Sequence, residues 1–185
     1  MKARWKWYGD RQDWRATSER SQSLAELALE GDQAADAEKL ARDAASQFAS
    51  TKSFEEEASA NATLARSLLA QRKVSEARAV AAQVATRLGK IKGLQQRFDI
   101  LIALALVQTA SGEQADGLKQ LEAVITEARK LKYAGYEFRA RLELGLIEVK
   151  SGQSGAGRSH LAQIQTDAKA KGFLLVARKA AAGRD

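Results

Sequence analysis

The chain of 185 residues carries a formal net charge of +7 and contains neither proline nor cysteine. The absence of cysteine excludes disulfides, zinc–thiolate sites and cysteine nucleophiles, while the lack of proline and a count of only 13 glycines favour long helices. The longest apolar run, Ile100 to Val107, is far shorter than the roughly 20 residues that span a bilayer. We therefore expect an all-α, cytoplasmic protein without a membrane span.

The excess positive charge lies at the two ends of the chain. Residues 1–20 contain six Lys/Arg and three Asp/Glu, residues 169–185 contain five and one, and the residues between them are neutral overall. A protein that follows a phosphate backbone is expected to carry positive charge along its whole binding surface, so this distribution argues against nucleic acid as the main partner. Binding of nucleic acid or of an anionic surface through the basic termini stays as the alternative function.

A leucine followed by a small residue returns with a constant 40-residue period, and self-similarity at such a period predicts stacked helical repeats. The pairs are Leu24-Ala25, Leu64-Ala65, Leu104-Ala105 and Leu144-Gly145. A second column of small residues keeps the same spacing at Ala37, Ala77, Gly117 and Gly157. We expect the leucine column to form the core of the stack.

In chain order, the pattern predicts one domain over residues 1–185, built from pairs of antiparallel helices. Its parts are a partial helix or leader over 1–10, repeats at about 11–50, 51–91, 92–131 and 132–171, and a C-terminal capping helix over 173–182. Two further columns with the same period begin at Tyr8 and Trp14, so we expect both side chains to pack within the array.

Turns within the pairs are predicted near Gly31, Arg72, Gly112 and Gly152, because glycine suits the left-handed residue that ends many helices. Gly31 stands one residue earlier than the period requires, which predicts a shifted register in the first repeat that is restored at Ala37. Two pairs of residues have the spacing of a capping box, which predicts helix starts. They are Ser53 with Glu56 and Ser111 with Gln114.

These columns resemble the tetratricopeptide repeat (TPR), whose first helix carries a Leu-Gly pair and whose second helix carries a small residue after the turn. The usual repeat has about 34 residues, so the longer unit of this chain is similar to the repeats of the kinesin-light-chain type, and the closing proline of the family is absent throughout. The resemblance implies a right-handed α-solenoid of about four repeats plus a capping helix, which acts as a scaffold for protein–protein interaction.

The C-terminal segment around Lys171-Gly172-Phe173 is also similar to the helical-repeat regions attached to bacterial signalling proteins, such as serine/threonine kinases and transcription regulators. That second resemblance implies a regulatory module of a larger bacterial protein.

The TPR resemblance further implies a concave groove, lined by the first helices, that binds a peptide or a partner domain. Carried onto this chain, the partner-binding residues are Arg66, Ile102, Leu106, Leu142, Leu146 and Val149. The segment from Phe98 to Val107 is apolar almost all round, which leaves apolar surface for a partner or for a second copy of the chain. The alternative is that superhelical curvature buries these residues against neighbouring helices.

No pattern supports catalysis. His160, the single histidine, has no Asp or Ser at a spacing that suggests a catalytic relay, so we expect a structural or solvated side chain. The acidic run Glu55-Glu56-Glu57 lies at a predicted helix start, where carboxylates favour the helix dipole. The glycine-rich segment 152–157 follows a helix and lacks the Gly-Lys-Ser/Thr ending of a phosphate loop. We predict a protein that is not an enzyme and that has no metal or cofactor.

Overall fold

The computed structural model describes the backbone of residues 2–152 and 154–184 and the side chains of residues 16–152 and 155–184. These residues form helices and turns and contain no strand. The prediction of an all-α fold is therefore confirmed. The helices are α1 (Lys2–Glu30), α2 (Ala34–Ser50), α3 (Phe54–Ala70), α4 (Val74–Ala85), α5 (Leu94–Ala110), α6 (Gln114–Lys130), α7 (Ala134–Lys150), α8 (Ser154–Ala170) and α9 (Leu174–Ala182), with a short 3-10 helix (Leu88–Lys90) between α4 and α5.

From α2 onward, each helix begins half a period after the one before it, so one full period of the sequence corresponds to one pair of helices. The chain divides into two compact units, residues 1–107 and 108–185, whereas the sequence predicted a single domain. In unit 1, α1 packs against α2, α2 against α3 and α3 against α4, and α1 also contacts α3. In unit 2 the helices from α6 to α9 pack in the same manner, and α7 also contacts α9.

The turns share one backbone conformation. The middle residue of each three-residue turn has a positive φ, and these residues are Asp32, Lys52, Arg72, Gly112, Lys132, Gly152 and Gly172. In the turn after α6, the N–H of Tyr133 donates to the carbonyl of Ala128 (2.8 Å) and the N–H of Lys132 donates to the carbonyl of Arg129 (3.1 Å). This is the Schellman arrangement, which satisfies the last carbonyls of a helix.

The turns predicted at Arg72, Gly112 and Gly152 are confirmed, but the shifted register of the first repeat is wrong. Asp32, with a φ of 60°, takes the left-handed conformation in the turn after α1, and it lies one full period before Arg72. Gly31 precedes it as an ordinary residue of the turn, so no residue has to be inserted or removed to keep the period.

Neither of the two predicted capping boxes is present in the structure. Ser53 precedes α3 as predicted, but its hydroxyl forms no capping bond and instead lies 3.0 Å from the hydroxyl of Thr51. Ser111 belongs to the turn after α5, and Glu113 is the residue that precedes α6. At the N-terminus, α1 begins at Lys2 and continues to Glu30, so residues 2–10 belong to the same helix as the residues that follow them. The side chains of Tyr8 and Trp14 lie outside the described residues.

The connection between α4 and α5 departs from the three-residue turn. There the Glu55 carboxylate on α3 accepts the backbone N–H groups of Lys92 (3.0 Å) and Gly93 (3.1 Å), directly before α5 begins. Glu57, on the same first turn of α3, forms an ion pair of 2.6 Å with Arg87. The acidic run thus lies at a helix start as predicted, and two of its carboxylates also hold the neighbouring connection in place.

In unit 1 the small member of the signature pair is buried more uniformly than the leucine. Ala25 and Ala65 are at most 1% exposed, and Leu64 packs in one core cluster with Ala25 and Ala41 of the preceding helices. Leu24 is the member of the leucine column on α1. Because no helix pair precedes α1 among the described residues, Leu24 has less to pack against and is 45% exposed. The prediction that the leucine column forms the core is therefore wrong for Leu24.

In unit 2 two glycines of the small columns permit close packing of α7 on α8. A Cβ atom added to Gly157 would lie 2.7 Å from the backbone nitrogen of Val149, and one added to Gly145 would lie 2.9 Å from Cδ2 of Leu161. Since real Cβ atoms almost never approach so closely to backbone, Gly157 limits the distance between these helices, and Gly145 makes room for the Leu161 side chain.

The left-handed turns generate a stability prediction. Lys132→Gly should raise the free energy of unfolding by about 1 kcal/mol, because a left-handed residue with a Cβ is strained and glycine is not. The matched control Lys119→Gly, at an exposed position within α6, should lower it by about 1 kcal/mol. Urea denaturation of both variants measures the difference, and a destabilising Lys132→Gly would contradict the proposed strain.

A cluster around Glu38 connects α2 to the turn after α3. The Glu38 carboxylate accepts hydrogen bonds from Lys73 Nζ (2.8 Å), Gln71 Nε2 (2.8 Å) and Arg42 Nε (2.9 Å), and the Glu38 side chain is 14% exposed. The hydrogen bond from Lys73, helped by those from Arg42 and Gln71, lowers the pKa of Glu38 from 4.5 to about 2 against the opposing effect of burial.

This lowered pKa predicts a loss of stability in acid. The contribution of Glu38 is complete above its ordinary pKa of 4.5 and is lost as the pH falls through the folded value of about 2. Glu38→Gln should cost about 1–2 kcal/mol at pH 7, a figure reduced for the exposure of Lys73 and Arg42. In urea denaturation at pH 7, 4 and 2.5, the free energies of unfolding of wild type and Glu38→Gln should converge as the pH falls. A difference that stays constant with pH would refute the lowered pKa of Glu38.

Candidate functional site

The structure buries two of the residues predicted to line the groove. Ile102 in unit 1 is fully buried, and Leu142 in unit 2 is 5% exposed because it packs with Ala177 and Ala180 of α9. The expectation that these two side chains face a partner is therefore wrong. The alternative, burial by neighbouring helices, describes them correctly.

The remaining apolar groove residues are half-buried. Leu146 and Val149 lie against the same core cluster as Leu142, and Leu146 also contacts Gly183 just after α9. In unit 1, Leu106 keeps part of its surface exposed. The structure thus brings Leu142, Leu146 and Val149 together, but it does so beneath the C-terminal helix.

Arg66 belongs to a polar contact between α1 and α3. Its side chain is 10% exposed and its Nη2 lies 3.6 Å from a carboxylate oxygen of Glu30. One turn away, Nε2 of Gln22 donates to Glu26 Oε1 (2.8 Å) and to Thr63 Oγ1 (3.0 Å). These contacts hold the two helices together, so Arg66 is already occupied within unit 1.

A cleft of about 310 Å³ opens in unit 2 among α6, α7 and α8. Its apolar lining consists of Ile125, Leu144 and Ile164. Its polar lining consists of Glu122, Arg129, Arg141, Glu148, His160 and Gln163. On each helix these residues are spaced three or four apart, which places them on one face.

Two ion pairs, one with a buried and one with a half-buried acid, occupy one end of the cleft. Nε and Nη2 of Arg129 donate to Oε1 of Glu137 at 3.0 and 2.9 Å, and Nη2 of Arg141 donates to Oδ2 of Asp167 at 2.8 Å. Glu137 is 7% exposed and lies 3.7 Å from Arg141 Nη1 as well. Both guanidinium groups therefore have their charge compensated by carboxylates beside the cleft.

A histidine–carboxylate pair occupies the other end. His160 Nδ1 lies 2.6 Å from Oε2 of Glu148, whose side chain is 13% exposed while that of His160 is half exposed. A carboxylate is an acceptor, so Nδ1 carries the proton and Nε2 is left for another contact. Glu122, two turns before Arg129 on α6, lines the cleft on the side of this pair.

Sequence reasoning missed this pair because only Asp and Ser were considered as partners of His160. The positions of Glu148 and His160 in the sequence could have predicted the pair. Glu148 and His160 flank the turn after α7, and antiparallel helices joined by a short turn bring residues on its two sides close together. The same geometry pairs Arg129 with Glu137 across the turn after α6.

The charged pair of Glu148 and His160 has no charged equivalent one or two periods earlier in the sequence. One and two periods before His160 stand Gln120 and Val80, and the corresponding residues for Glu148 are Gln108 and Leu68. Leu68 is a fully buried core residue. Because burying a carboxylate costs free energy where a leucine would stabilise the core, departures of this kind are expected at functional positions.

Two of the basic residues near the C-terminus form contacts within the chain. Lys171 Nζ lies 5.5 Å from the centre of the Phe138 ring, and Nη2 of Arg184 donates to Gln165 Oε1 at 2.6 Å. The basic side chains before residue 16 lie outside the described residues. Binding of nucleic acid or of an anionic surface through the termini stays a prediction.

Within residues 16–152 and 155–184, no group of three or more His, Cys, Asp or Glu side chains is placed to hold a metal ion. In the part of the chain that the structure describes, no helix is both long and apolar enough to cross a bilayer.

Comparisons with protein-family models, curated proteins and solved structures gave no match to this chain. The resemblance to the tetratricopeptide repeat and the connection to bacterial signalling proteins stay predictions.

Proposed function

We propose that the chain is a protein-interaction scaffold, a right-handed TPR-like solenoid, that holds a segment of a partner protein in the cleft among α6, α7 and α8. The observation that carries the proposal is the composition of this cleft, in which an apolar floor is bordered by charged side chains. An apolar side chain of a bound segment can cover Leu144 and Ile125, while its polar groups meet the rim.

The volume of about 310 Å³ suits one or two side chains of a bound segment rather than a whole helix. Because the ion pairs of Arg129 and Arg141 involve carboxylates that are themselves buried or half-buried, this end of the cleft is held in place before a partner arrives. Such pre-organisation lowers the entropic cost of binding.

The cleft is a better candidate than the groove that the family resemblance implies. Leu142 and Leu146 are covered by the C-terminal helix, and Arg66 is paired with Glu30. A partner in that groove would have to displace contacts within the chain, whereas a partner in the cleft would not.

A random peptide-display selection against the chain, followed by fluorescence titration of the enriched peptides, tests the proposal. Gln163 lines the cleft and is exposed, so Gln163→Trp should fill the space without disturbing the core and should weaken peptide binding at least tenfold. Thr166→Trp, at an exposed position on the same helix outside the cleft lining, should leave the affinity unchanged.

Circular dichroism of both variants checks that the fold is intact. Failure to enrich any peptide, or equal binding of enriched peptides to the two tryptophan variants, would remove the cleft as the interaction site and the proposed function with it.

A further inference from the structure

The charges around the cleft are not balanced. Four carboxylates, those of Glu122, Glu137, Glu148 and Asp167, lie in or beside it, and only two guanidinium groups face them. Arg129 and Arg141 are already engaged with Glu137 and Asp167, so the excess negative charge falls at the end that holds Glu122 and Glu148. This local excess stands out in a chain whose formal net charge is +7.

The groups at this end accept hydrogen bonds. The Glu122 carboxylate makes no hydrogen bond or ion pair with the side chains that the structure describes, and Glu148 uses only one of its two oxygens, on His160. A ligand that supplies several N–H donors and a positive charge complements this set.

On these grounds we infer that the cleft binds an arginine side chain of the partner protein, with its guanidinium group at Glu122 and Glu148 and its aliphatic stem on Ile125 and Leu144. This inference rests on the proposed function and names the side chain that the scaffold recognises. Arginine fits better than lysine because its planar fork can donate two parallel hydrogen bonds to one carboxylate. The apolar stem of arginine gains from the apolar floor as well.

A small probe tests the chemistry without a peptide. Two-dimensional NMR of the 15N-labelled chain, titrated with Nα-acetyl-arginine N-methylamide, should give saturable shifts confined to the cleft-lining segments of α6, α7 and α8. The citrulline analogue, which has the same shape but no charge, should give none. Shifts of equal size with the citrulline analogue, or shifts spread over the whole surface, would overturn the inference.

Charge-neutralising variants locate the recognition. Glu122→Gln should weaken binding of the blocked arginine at least fivefold, because Glu122 is exposed and carries no structural contact that the change would break. Glu127→Gln removes one negative charge from the same helix outside the cleft lining and should leave the affinity unchanged. If the two variants weaken binding equally, the net charge of the chain alone explains the attraction, and the assigned site is overturned.

The two proposals fail in different ways. Enriched peptides that bind wild type and not Gln163→Trp, yet bind equally well after arginine is replaced by citrulline, would leave the scaffold function standing and overturn arginine recognition. Specific binding of the blocked arginine without any enriched peptide would instead remove the scaffold function, and would assign the cleft to a free guanidinium compound rather than to a partner's side chain.

Discussion

The left-handed residue in the middle of each three-residue turn is the constraint on which the rest of the architecture depends. It recurs at every half-period wherever a three-residue turn joins two helices, and it stops the helix and reverses the chain within that turn. With helix length and turn length both set, residues one period apart fall on equivalent faces. The small-residue columns can then meet the neighbouring helix at every pair, as Gly157 meets Val149.

Features that depend on local signals could be predicted from the sequence. They are the helical class, the repeat period and the turns at Arg72, Gly112 and Gly152. Burial was harder to predict, since it depends on which helix lies next to a given face. Leu64 and Leu24 belong to the same column, yet one is in the core and the other is 45% exposed, because among the described residues a helix pair precedes Leu64 and none precedes Leu24. The positive φ of Lys52 and Lys132 was not predicted, because neither is glycine, although Gly172 stands one period after Lys132.

At the candidate site, too, local features could be predicted and the packing of neighbouring helices could not. The family resemblance placed the binding surface on the first helices and implied a capping helix, but it did not indicate that this helix, α9, covers Leu142 and Leu146. Conversely, the charged cleft is assembled from residues that are ordinary surface types when read singly. What distinguishes them is their pairing across the turns, Arg129 with Glu137 and Glu148 with His160, and the second pair stands where residues one and two periods earlier are uncharged.

The shortness of the turns also has a kinetic meaning. The hydrogen bond from Gln22 to Thr63 joins residues 41 apart, about one period of the array, and the ion pairs of the cleft join residues no more than 26 apart. Contacts of such short range require little loop closure, so their entropic cost in the transition state is small. Each pair of helices can consequently serve as a nucleus for its neighbour, and the chain should fold rapidly despite its length.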